Sequence, residues 1–143
     1  MNQNAAVLNE IHKQAEVSAD HAASLLCKAG DPLLKQELTE RHMEFSNFAS
    51  DAEKRLRSIG YRTADGPSFV RLTAKAGLQV SSMLDSSPSQ LATLMIHTAN
   101  TSIVALTKAM NGHGNSLSRD VSSFALHFID SSHRTIERMK RFL

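Results

Sequence analysis

The sequence predicts an all-α protein in which four long amphipathic helices pack as a bundle, with a shorter fifth helix between the second and the third. Three observations carry this prediction. Apolar residues recur at spacings of three and four over four long stretches, Gly, Pro, Asp and Asn gather between those stretches, and no sustained alternation of polar and apolar residues calls for a strand. With 143 residues the chain suits one domain, expected to span 1–143. Hydrophobic residues make up 41%, charged residues 21% and aromatic residues 5%, with no Trp, so the core is expected to be built from Leu, Ile, Val, Ala and Met.

The first helix is expected over about 5–29, where Val7, Leu8, Ile11, Ala15, Ser18, Ala22, Leu25, Leu26 and Ala29 fall along one stripe and Gly30 ends it. Asp31-Pro32 restarts the chain, because Asp can cap free amides and Pro at the first helical position sacrifices no needed hydrogen bond. The second helix, about 32–59, carries Leu34, Leu38, Arg41, Phe45, Phe48, Ala49, Ala52, Leu56 and Ile59, with Gly60 as its stop. After a linker at 61–67, a short amphipathic piece over about 67–84 presents Phe69, Leu72, Thr73, Ala76, Val80 and Met83. Asp85-Ser86-Ser87-Pro88 opens a helix over about 88–110 with Leu91, Leu94, Met95, Thr98, Ser102, Ala105, Leu106 and Ala109 on one face. A turn at Asn111 to Asn115 leads to the last helix, about 116–142, whose stripe is Leu117, Val121, Phe124, Ala125, Phe128, Ser132, Thr135, Ile136, Met139 and Leu143.

Link lengths predict the topology. Short first and third links force antiparallel hairpins, whereas the long middle link, about residues 60–87, lets the chain return along the bundle. Two hairpins joined by one long crossover form the ferritin-like four-helix arrangement. The whole chain also resembles a bacterial family of ferritin-like four-helix bundles of unknown function. The resemblance is carried by Leu8-Asn9-Glu10-Ile11, Gly30-Asp31-Pro32-Leu33-Leu34-Lys35, Glu40-Arg41-His42-Met43-Glu44-Phe45, Thr101-Ser102-Ile103-Val104-Ala105-Leu106-Thr107-Lys108 and Ile136-Glu137-Arg138-Met139-Lys140-Arg141-Phe142-Leu143. It implies a fold and no reaction.

Bundles of this kind house di-iron centres built from a Glu on each of two helices and a Glu-x-x-His pair on each of the others, all pointing inward. Here the inward positions at mid-bundle are Ser18, Arg41, Thr98, Ser102 and Ser132, a polar layer poor in carboxylates. Asp130 and His133 have the ligand spacing but fall opposite the Phe124, Phe128 and Ile136 stripe. Glu37, Glu40 and Glu44 lie on one flank of the second helix, with Met43 where a His would be needed. Glu16, Asp20, His97 and Asn100 also fall outside the core stripes. No cofactor is therefore expected, and iron on an altered ligand set is the alternative. A flank site would draw on His21, His42, His127 or His133 with Asp130, Glu40 and Glu44.

Arg41 stands in a core stripe, where a guanidinium must be paired or face a desolvation cost of several kcal/mol. The reading adopted is an Arg that reaches the helix edge and bonds Glu37 or Glu44; the competing one is an anion-responsive or His-tuned pocket around it. Ile96, Ile103 and Met110 form a second stripe on the third helix, and Leu126 and Ile129 do so on the fourth, which calls for a cover by the crossover helix or by another subunit, with a homodimer expected and a protein partner as the alternative. His127, Arg134, Arg138 and Arg141 share an edge of the last helix, read as a solvated face whose cations complement the helix dipole.

The net charge of +2 gives nucleic acid no support. Cys27 alone allows no internal disulfide, and it falls on the polar side of its helix. No apolar run reaches the roughly 18–20 residues of a membrane span, and Met1 to Ala6 has no secretory pattern, so a cytoplasmic protein without membrane contact is expected. There is no nucleophile with a base at readable spacing, no Gly-rich phosphate loop and no Cys cluster, which leaves hydrolase, nucleotide and redox-disulfide activities without a foothold.

Overall fold

A computed structural model of the chain describes residues 2–63 and 86–143. Four long helices account for most of them: α1 (Gln3–Lys28), α2 (Pro32–Ser58), α3 (Pro88–His113) and α4 (Arg119–Met139), with short 3-10 turns at Gly114–Ser116 and Lys140–Phe142. Among the described residues there is no strand. The fifth helix expected over 67–84 falls outside the described residues.

The caps explain the boundaries. Asn2 accepts from the amides of Asn4 and Ala5, so α1 starts at Gln3, two residues before the expected start at about 5. Asp31 accepts from the Leu34 amide at 2.9 Å with Pro32 in the first turn. Ser87 accepts from the Gln90 amide at 3.2 Å and so shares the restart expected at Asp85 to Pro88. Ser118 accepts from the Val121 amide at 3.2 Å, which places the start of α4 at Arg119 rather than near Ser116. Gly60 takes φ +84°, a left-handed conformation that halts α2 at little cost only because the residue has no side chain. Gly30 does not play that part: α1 ends through an extended Ala29, and the chain turns directly into Asp31-Pro32. The turn expected at Asn111 to Asn115 begins later, since α3 continues to His113 and only then tightens.

Cross-helix bonds set the directions. The short link from Lys28 to Pro32, together with the His42 bond to the Ala19 carbonyl, makes α1 and α2 antiparallel. Ser102 to Gln14 and Thr98 to His21 make α1 and α3 antiparallel. Arg55 with Asp120 at one end and Glu37 with Arg138 at the other make α2 and α4 antiparallel. It follows that α2 and α3 run parallel. The end of α2 lies beside the start of α1, where the Asn2 amide meets the Tyr61 hydroxyl, while α3 starts at the opposite end of the bundle. This is the geometry that a long crossover requires.

One apolar core runs through all four helices. Leu8, Ile11, Leu25, Leu34, Leu38, Leu56, Leu91, Met95, Leu106 and Met139 are fully buried. The α2–α4 seam is filled by aromatic rings: Phe128 meets Phe45 at 5.7 Å and Phe48 at 5.2 Å, both edge-on, and Phe124 lies 5.8 Å from Phe48. Edge-on geometry brings the positive rim of one ring to the negative face of another. Among the described residues, two placed in the stripes are exposed: Ile59, just past the end of α2, and Leu143, 64% accessible. Conversely Gln14 and Glu37 are buried although no apolar stripe contained them.

Replacing Phe128 with Ala removes the ring shared by both Phe45 and Phe48 and should cost about 3–5 kcal/mol in urea unfolding. Asp31→Ala, which deletes only a cap, should cost about 1 kcal/mol.

Candidate functional site

The five inward polar residues expected at mid-bundle, Ser18, Arg41, Thr98, Ser102 and Ser132, are all buried. They divide between two seams. On the α1–α3 seam the Ser102 hydroxyl donates to Gln14 Oε1 at 3.2 Å, and Ser18 Oγ lies 3.3 Å from Ser102 Oγ. With the Ser102 hydrogen directed to Gln14, Ser18 is the donor to Ser102. Gln14 Nε2 then donates to Glu10 Oε1 at 3.1 Å, so one chain of hydrogen bonds leads from the core to the surface. Ser132 Oγ, on α4, is fully enclosed and has no hydrogen-bond partner.

A turn further along α1, His21 Nδ1 lies 2.6 Å from Thr98 Oγ1, whose hydroxyl also reaches the Leu94 carbonyl at 3.1 Å. Burial lowers the His21 pKa, and the neighbouring Asp20 carboxylate raises it in part. Asp20 is perturbed oppositely: burial raises its pKa, against the lowering by His21 and His42, and its Oδ2 has no hydrogen-bond partner. His42 donates Nδ1–H to the Ala19 carbonyl at 2.8 Å. Asp20 and His42 border a groove of about 280 Å³ along the α1–α2 seam, together with Glu16, Ser46, Ser50 and Glu53.

The α2–α4 seam carries the charges. Arg41 is only 6% exposed, and its Nη1 lies 2.7 Å from Glu44 Oε2, with Glu37 at 3.7 Å and Glu40 at 3.9 Å. As expected, its bonds go to carboxylates of its own helix, though the side chain stays inside rather than emerging. Glu37 is the surprise. Placed by its spacing on a flank, it is 5% exposed, and its Oε1 accepts from Arg138 Nη1 and Arg141 Nη2, each at 2.9 Å. Glu44 also accepts from the Ser131 hydroxyl and pairs with Arg134 at 3.6 Å. The edge of Arg134, Arg138 and Arg141 is therefore not simply solvated: all three remain half exposed while their guanidiniums reach carboxylates of α2. The Glu37 hydrogen bond raises the Arg138 pKa further.

The flank residues named as metal ligands are dispersed. Asp130 pairs with Arg134 at 2.6 Å, Glu40 and Glu44 with Arg41, His127 lies edge-on to Phe48 at 5.3 Å, and His133 is exposed. Among the described residues no three His, Cys, Asp or Glu side chains come together as a metal-binding group. Of the second-stripe residues, Ile96, Met110 and Ile129 pack partly buried against the core, Ile103 is half-buried, and Leu126 is 57% exposed. Cys27 is free and exposed. No helix among the described residues is long and apolar enough to cross a membrane. No family model, curated protein or solved structure matches the chain.

His21 gives a pH dependence of definite sign. Its folded pKa lies below the ordinary 6.5, so the unfolded chain takes up the proton first as pH falls. Stability supplied by neutral His21 is full above about 6.5 and is lost on acidification toward its folded pKa. Asp20, raised from 3.8, acts with the opposite sign, gaining stability as pH falls toward that value. In urea titrations between about pH 7.5 and 5.5, His21→Gln should show a shallower loss of stability than the parent.

Proposed function

We propose that the chain is a non-catalytic, ferritin-like helical bundle whose role lies on its surface, through self-association as a homodimer or through a protein partner. The supporting observation is the state of the α2–α4 carboxylates. Glu37 and Glu44, the acidic side chains that come nearest the core on that seam, are bonded by Arg41, Arg134, Arg138 and Arg141. A carboxylate bound in this way would have to exchange a guanidinium for a metal ion before it could act as a ligand. The hydroxyls of Ser18, Ser102 and Ser132 offer no anionic oxygen in its place.

For association, the apolar positions bordering the α3–α4 seam supply the area. Leu126 is exposed on α4, and Ile103 on α3 and Ile129 on α4 are half-buried. An isologous contact across this seam would place the same residues from both copies against one another. The family resemblance and a bacterial, cytoplasmic setting belong to this same reading and rest on the sequence motifs alone. Iron binding by an altered ligand set is the rival reading.

Two measurements separate these. Light scattering over a hundredfold range of concentration should give a dimer that Leu126→Glu converts to monomer; a parent of unchanged monomer mass would remove self-association. Elemental analysis after anaerobic ferrous loading, exposure to air and desalting should find no stoichiometric iron. Retained iron with a new absorbance band would instead put the metal-dependent reading first.

A further inference from the structure

We infer that the C-terminal turn is a strap, closed over one end of the bundle by the buried carboxylate of Glu37 and released by ionic strength. The strap comprises Arg138 at the end of α4 and the 3-10 turn Lys140–Phe142. Two of its guanidiniums, Arg138 Nη1 and Arg141 Nη2, converge on the same oxygen, Glu37 Oε1, at 2.9 Å each. Arg141 Nε also donates to the Arg138 carbonyl at 3.3 Å, which folds the turn back on itself. Between these two cations Met139 is fully buried, and Phe142 packs partly buried against the core.

The burial is unequal on the two sides of the contact. Glu37 is enclosed, whereas Arg138 and Arg141 are 47% and 62% exposed. Two like charges sharing one acceptor repel each other, and their open sides are screened by dissolved ions. Detaching the strap restores water to the arginines at small cost. It leaves Glu37 with Arg41 alone, and Glu37 Oε2 has no hydrogen bond while standing 3.7 Å from Arg41 Nε. The other charged groups in reach are Glu40, Glu44 and Glu137, the last held by Lys140 at 2.9 Å. Opening is opposed by the buried carboxylate of Glu37 and by the burial of Met139 and Phe142, and is favoured by screening on the solvent side. An open strap would uncover Met139 and Phe142, which otherwise pack in the bundle core. The chain thus has a means of presenting an apolar end surface only when the strap is detached.

Hydrogen exchange followed by peptide mass spectrometry tests this in the full chain. Raising NaCl from about 0.05 M to about 0.5 M should speed exchange over 136–143 by about tenfold, with residues 121–130 of α4 unchanged. Glu37→Gln should show the faster exchange already at low salt and lose most of the salt response. Arg141→Gln, which keeps Arg138 in place and leaves the core untouched, should give an intermediate rate if Glu37→Gln disturbs folding. Salt-independent exchange over 136–143, or acceleration of 121–130 and 136–143 together, would overturn the strap.

Discussion

A guanidinium and a carboxylate share the interior of the α2–α4 seam, and neither could be there without the other groups that surround it. Arg41 and Glu37 are both more than nine-tenths buried on adjacent turns of α2. An isolated ion at such depth would cost several kcal/mol, so each depends on compensation from Glu44 and from the arginines of α4. That requirement ties α4 to α2 in the register that also brings Ser131 to Glu44 and Asp120 to Arg55. The aromatic cluster of Phe45, Phe48, Phe124 and Phe128 lies in the same seam and shares that register.

The two seams on either side of the bundle are built on different chemistry. Between α1 and α3, small residues and neutral hydroxyls let the helices approach, and hydrogen bonds run from Ser18 through Ser102 and Gln14 to Glu10. Between α2 and α4, large rings and long charged side chains hold the helices further apart and tie them by ion pairs. Most of the interior polar groups in these two seams bond one another, Ser132 Oγ being an exception. Among the described residues, surface features open to an external ligand include the α1–α2 groove near Asp20 and His42, a groove of about 540 Å³ lined by Glu10, His97 and Lys108, and the α3–α4 seam.

Much of this was legible in the sequence because a helix repeats every 3.6 residues and a core stripe must follow that period. Ser18, Arg41, Thr98, Ser102 and Ser132 were found by phase alone, and all prove buried. Glu37 was missed although its phase is equally good, three residues after Leu34 and four before Arg41. Counting carboxylates as flank residues hid it, since its partners Arg138 and Arg141 lie more than a hundred residues away in the chain. Gln14 was missed in the same way between Ile11 and Ser18. Reading the stripe by phase and ignoring polarity would have recovered both. The end of α3 was read too early because Gly112 weakens a helix without ending it, and the closing 3-10 turn begins only at Gly114. Of the surplus apolar stripe, Ile96, Met110 and Ile129 pack in part against the bundle's own core.

Equilibrium urea unfolding of a double-mutant cycle on Arg41→Met and Glu37→Gln examines the buried charge network most directly. Each single change should destabilise the protein by about 1–3 kcal/mol, because a buried partner loses compensation, and the double variant should lose clearly less than the sum of the two. An Arg41→Met protein as stable as the parent, or more so, with additive effects in the double variant, would mean that Arg41 and Glu37 do not compensate each other inside the bundle.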